Sequence, residues 1–122
     1  MKALSRIVSL FVIICINSCK SKIKCSCSEE TVCISLENNS GQELQNISIL
    51  NKGISKATIA TLQMNDQTCL TFNSAGENIF NLTVNFKNGK TIKSSEVYFE
   101  GGYKFSAIVT EDKIKVDYNA SY

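Results

Sequence analysis

The sequence predicts an all-β domain, a small antiparallel β-sandwich of about seven strands. Three observations predict it. From Thr31 onward, apolar residues recur at every second position. Clusters of Asn, Gly, Asp and Lys interrupt that pattern about every 8 to 12 residues. The chain contains no proline and, beyond its first residues, no helical period. A period of two sends successive side chains to opposite faces of a strand, so each such run buries one face and wets the other.

Val32, Ile34 and Leu36 alternate with Cys33, Ser35 and Glu37, and Asn38-Asn39-Ser40-Gly41 supplies the turn that ends this strand. Leu44 to Leu50 gives the second strand, with Ile47 and Ile49 on one face, and Asn51-Lys52-Gly53 breaks it. Residues 54–62 form a weaker strand carrying Ile54, Ile59 and Leu62, closed by the polar break at 65–67. Thr68 to Asn73 places Cys69 and Thr71 on one side and Leu70 and Phe72 on the other. The clearest signal covers residues 78–99. There Phe80, Leu82, Val84 and Phe86 alternate with Asn81, Thr83 and Asn85, Asn88-Gly89 suits a type I′ turn, and the chain returns as Thr91 to Phe99. Gly101-Gly102 reads as a further hairpin turn into Tyr103–Thr110. Glu111-Asp112-Lys113 then leads to Ile114, Val116 and Tyr118.

Short strands joined by such turns close most economically as a sandwich of the immunoglobulin-like kind, with an open barrel as the alternative. The chain has no Trp, so the buried Trp of antibody domains is absent. The likeness is architectural and carries no function with it.

The first residues obey different rules. Lys2 and Arg6 are followed by a nearly continuous apolar run from Ile7 to Ile16, and then by Asn17, Ser18 and Cys19. A ten-residue run falls short of the ~20 residues needed to cross a bilayer as a helix, so the segment reads as an export signal. Ile16, Ser18 and Cys19 resemble the lipobox of bacterial lipoproteins, an aliphatic residue, a variable one, a small one and the cysteine that becomes the lipidated first residue. Asn17 is an unusual choice at the variable place. Cys15 lacks the preceding small residue. An ordinary secretory signal cut near Ser18, leaving Cys19 for a disulfide, is the competing reading.

The resemblance implies a signal peptide at residues 1–18, a lipidated Cys19 with a basic tether over 19–30, and the sandwich over 31–122. It implies a lipid anchor in a membrane, to which Lys20, Lys22 and Lys24 add attraction for anionic headgroups. Lys20 directly after the cysteine is similar to lipoproteins passed on to the outer membrane, where retention in the inner membrane uses Asp. The acidic cluster of surface-displayed lipoproteins is missing. The implied location is therefore the cell envelope, with the domain on the outer membrane facing the periplasm.

Removing residues 1–18 leaves 104 of the 122 residues, one small domain, with eleven basic and eleven acidic side chains. A balanced chain without a basic patch gives no expectation of nucleic-acid binding. Sequons begin at Asn38, Asn46, Asn81 and Asn119. They matter only in a eukaryotic secretory setting, against which the lipobox argues.

With Cys19 assigned to lipid, Cys25, Cys27, Cys33 and Cys69 remain as disulfide candidates in an oxidising compartment, with three possible connectivities. The one-residue spacing of Cys25 and Cys27 makes a bond between them strained, so each is expected to pair with a more distant partner, and Cys33 and Cys69 on predicted strands are the expected ends. The alternative is a thiol or soft-metal module built on Cys25, Cys27 and Cys33.

The chain has no His, so a Ser-His-Asp or Cys-His triad cannot be assembled from it. Glu29-Glu30 and Glu111-Asp112 read as loop charges, and Gly101-Gly102 precedes a strand and not a phosphate-binding helix. The expectation is a protein with no catalytic residues and no cofactor, which binds another envelope protein. Tyr98 and Ile108 are the candidate contact residues: each points outward if its neighbours point in, and together they would form one patch if their strands are adjacent.

Overall fold

The computed structural model describes residues 23–74 and 78–121. The signal segment, the lipobox and Cys19 lie outside the described residues.

Nine strands occur among them: β1 (Thr31–Asn38), β2 (Leu44–Asn51), β3 (Ile54–Leu62), β4 (Gln67–Asn73), β5 (Asn78–Phe86), β6 (Thr91–Lys93), β7 (Val97–Phe99), β8 (Tyr103–Val109) and β9 (Ile114–Ser121). They form two sheets. One has the order β4-β1-β8-β9; the other has β3-β2-β5-β6, with β7 also paired to β5. The all-β, sandwich-like expectation holds.

Four details differ from the sequence reading, each for a physical reason. The return strand over 91–99 is split into β6 and β7, because at Ser94 the chain leaves the ladder. The Ser94 hydroxyl accepts the Leu82 N–H (2.8 Å), while the Ser94 N–H donates to the Leu82 carbonyl (2.8 Å). Gly101-Gly102 does not make a hairpin, since it carries the chain from β7 in the five-stranded sheet to β8 in the other. One ladder, β1 with β8, is parallel: the two strands are far apart in sequence, and the chain reaches β8 by crossing from β7 in the other sheet, so no hairpin forces them to run antiparallel.

The type I′ turn also moves. At Asn88-Gly89 only Gly89 has positive φ (93°), and Phe86 accepts from Gly89 and donates to Lys90, which makes a three-residue loop. The Asn88 side chain accepts the Lys90 N–H (3.0 Å), which suits this conformation. The two-residue loop with positive φ at both positions is Lys52-Gly53 (50° and 80°), between Asn51 and Ile54.

The inward faces meet in one core. Val32, Ile34 and Leu36 from β1 and Ile47 and Ile49 from β2 are fully buried, as their alternation predicts. Phe72 and Phe105 from the four-stranded sheet meet Phe80 and Phe99 from the other, with centroids 5.2 Å apart for Phe72–Phe99 and Phe80–Phe105 in edge-on packing. Asn38 is 0% exposed. Its Nδ2 donates to the carbonyls of Gln42 (2.7 Å), Leu62 (3.1 Å) and Gln63 (3.1 Å), and its Oδ1 accepts from Ser40, so one side chain ties the β1–β2 turn to the end of β3. This burial also removes the first sequon from any glycosylation argument.

Candidate functional site

Residues 23–30 run as a strap across the outer face of the four-stranded sheet, held at several points. The Ile23 N–H donates to Gln67 Oε1 (2.8 Å). Cys25 is bonded to Cys69 on β4 and Cys27 to Cys33 on β1, with Cα separations of 5.6 and 5.7 Å, within the range a disulfide requires. Each close-spaced cysteine thus has its partner on a strand, and the partners are Cys69 and Cys33 respectively. Cys33 is only 1% exposed although it points to the outer face, because the strap covers it. Sulfurs so paired present no thiolate to a metal. Among the described residues no group of three or more His, Cys, Asp or Glu is placed to hold one.

The strap ends in a turn that the rest of the fold is shaped to receive. Ser74 N–H donates to the Glu30 carbonyl (2.9 Å), and Gly102 N–H to the Thr31 carbonyl (2.8 Å). A Cβ at Gly101 would collide with the Glu29 carbonyl oxygen and the Ser74 hydroxyl. Gly102 has φ of 87°, a conformation that favours glycine. The two glycines therefore serve the strap turn for different reasons, close approach and backbone hand.

Beside the strap lies an open groove of about 320 Å³. Ile23, Lys24 and Cys25 form one wall; Ser35, Ser106, Ile108 and Asn119 contribute the floor and far side. Ser35 donates to the Ser106 hydroxyl (3.2 Å), which also accepts from Asn119 Nδ2. The acidic pairs form no site. Glu29-Glu30 is exposed in the strap turn, and Glu111-Asp112 sits in an exposed loop where Lys90 reaches the Glu111 carbonyl (3.1 Å) and the Asp112 carboxylate (3.7 Å).

Tyr98 and Ile108 each face outward as expected, but they do not share a patch. Tyr98 is on β7 and Ile108 on β8, in different sheets, because the 101–102 turn crosses between the sheets. Ile108 belongs to the groove instead. Tyr98 packs against Tyr103 (centroids 6.3 Å), which packs against Tyr118 (4.9 Å), giving an aromatic ladder across the seam where β7 and β9 edge the two sheets. Tyr98 is 48% and Tyr118 54% exposed. Sequence reasoning passed over Tyr118, whose spacing from Tyr103 carries no signal until β8 and β9 are paired.

Fold and staples together define a small disulfide-clamped β-sandwich. No family model matches the chain, and no curated protein matches it. A solved structure described as "NMR structure of the protein from Eubacterium rectale" is similar over 79% of this chain and 97% of that one, with a TM-score of 0.56 and 20% identity. At that identity the likeness is one of fold alone.

Proposed function

We propose that the chain is a lipoprotein of the bacterial cell envelope, lipidated at Cys19 and without enzymatic activity, whose sandwich binds a partner protein on the periplasmic side of the outer membrane. The observation that carries this reading is the strap. Two disulfides suit an oxidising compartment, and they clamp the chain to the domain within a few residues of Cys19. From Cys19 to Ile23, four residues reach at most about 14 Å, so an anchor at Cys19 holds the four-stranded sheet close to the bilayer and leaves the β7–β9 seam for contact. The exposed tyrosine ladder supports that assignment, since Tyr is enriched where partners bind. An immunity or inhibitor lipoprotein and an accessory subunit of an envelope complex both fit it.

The sandwich is immunoglobulin-like in architecture on this reading, with two sheets closed over one apolar layer. Its order is its own: β1 and β2 lie in different sheets, where the first two strands of antibody domains share one.

The test is the intact mass of the protein extracted from membranes, before and after reduction and alkylation. The expected result is a chain starting at a triacylated Cys19 with no thiol open to alkylation until it is reduced. An unmodified amino terminus refutes the anchor, and free thiols at Cys25 and Cys27 favour the thiol or metal alternative. Partner capture with Tyr118→Ala beside the unaltered protein tests the contact surface; equal capture by both sinks it.

A further inference from the structure

We propose that the groove beside the strap is a binding slot for a short extended peptide, which sets its free amine at Glu37 and its free carboxylate at Lys104. The outer face of the four-stranded sheet already carries one extended segment. The strap meets β4 at Ile23, whose N–H donates to Gln67 Oε1, and again at Cys25, bonded to Cys69, so it advances two residues for two of β4. It runs over the β4 side of the sheet, and the groove is the strip left beside it over β1 and β8. That strip is sunken because the outward residues at its middle, Ser35 and Ser106, are small and lie side by side in register. The two disulfides hold its strap wall in place.

The ends of the strip carry opposite charges. Register sets Glu37 beside Ile108 at one end and Lys104 beside Cys33 at the other. Both charged side chains are half-buried, so they act from within the slot. Four steps of strand separate the two ends, about 13 Å at ~3.3 Å per residue, which is the reach of an extended tetrapeptide from amine to carboxylate. One amino acid spans at most ~3.6 Å and cannot meet both ends.

Between the ends the floor suits a backbone of any sequence. Ser35 donates to the Ser106 hydroxyl, which also accepts from Asn119 Nδ2, so hydroxyl and amide groups line the path that peptide N–H and C=O groups would follow. Ile23 and Ile108 lie at the level of Glu37 on opposite sides and offer apolar contact to the first side chain. Lys24 on the strap wall adds a second ammonium. With two ammonium groups to one carboxylate, the slot favours an acidic side chain in the peptide over a basic one. The volume of about 320 Å³ is that of a small-ligand site. This site is separate from the tyrosine seam and stands with or without the lipid anchor.

The experiment titrates the isotope-labelled full-length protein in detergent with tetra-alanine and follows backbone amide shifts. Saturable shifts at residues 33–37, 104–108 and the strap are expected. Acetylating the amine or amidating the carboxylate should each weaken binding about tenfold, the loss of one hydrogen bond to a charged group, and di-alanine should bind more weakly still. Glu37→Gln should remove the preference for the free amine while keeping that for the free carboxylate, and Lys104→Gln should do the reverse. A merely structural effect would move both preferences together. A tetrapeptide with one Glu should bind more tightly than one with one Lys. No shift at millimolar peptide, shifts centred on the β7–β9 seam, or equal binding of the doubly capped tetrapeptide overturns the proposal.

Discussion

Removing each disulfide separately tests how the strap contributes to stability. A cross-link restricts the unfolded chain in proportion to the logarithm of the loop it closes. The Cys25–Cys69 bond spans 44 residues and Cys27–Cys33 spans 6. The loop-closure relation gives about 4 kcal/mol for the first and about 2 kcal/mol for the second at 25 °C. With an unfolding entropy near 2.1 cal/mol/K per residue for a domain of about 100 residues, those values lower Tm by roughly 20 and 10 °C. The measurement is thermal denaturation by circular dichroism of the oxidised protein and of the paired variants Cys25→Ala with Cys69→Ala and Cys27→Ala with Cys33→Ala. Neither pair lies in the phenylalanine layer, so both variants should keep a far-ultraviolet β spectrum. Equal losses, or a larger loss from the short loop, would refute the loop-entropy reasoning and show that the strap is held chiefly by native contacts around Cys27 and Cys33.

Further outcomes follow from single contacts. Asn38→Ala strips the carbonyls of Gln42, Leu62 and Gln63 of their buried donor and should cost about 3 kcal/mol, read by urea denaturation; a loss below about 1 kcal/mol would mean that water replaces the amide. Gly101→Ala drives a methyl into the Glu29 carbonyl and Ser74, so amide exchange at Ser74 and Gly102 should accelerate by more than at the distant Phe86, and uniform acceleration would contradict a local clash. Ser94→Ala removes the acceptor of the Leu82 N–H and should speed exchange of that amide while β2–β5 amides stay protected. Phe80→Ala, at the centre of the aromatic layer, should cost about 3 to 5 kcal/mol, and a smaller loss would show that the layer collapses around the cavity.

Strand positions were legible because burial acts residue by residue. Val32, Ile34 and Leu36 alternate in sequence, and they are buried at every step. The partition of strands between sheets was not legible, since a turn such as Gly101-Gly102 looks the same whether it closes a hairpin or crosses from one sheet to the other. That ambiguity separated Tyr98 from Ile108 and concealed Tyr118. The two glycines marked a turn, but what Gly101 accommodates, the Glu29 backbone, comes from 72 positions earlier.

By itself the sequence determined an all-β chain, the bounds of most strands, the inward and outward faces, and that each close-spaced cysteine needs a partner other than its neighbour. These follow from local physics, the period-two exposure of a strand and the geometry of a short Cys-x-Cys link. Only the tertiary structure decided which cysteine meets which, that β1 and β8 run parallel, and that Asn38 ties the β1–β2 turn to the end of β3. Each of these depends on which distant segments the two sheets bring within a few ångströms, and no local preference encodes that choice.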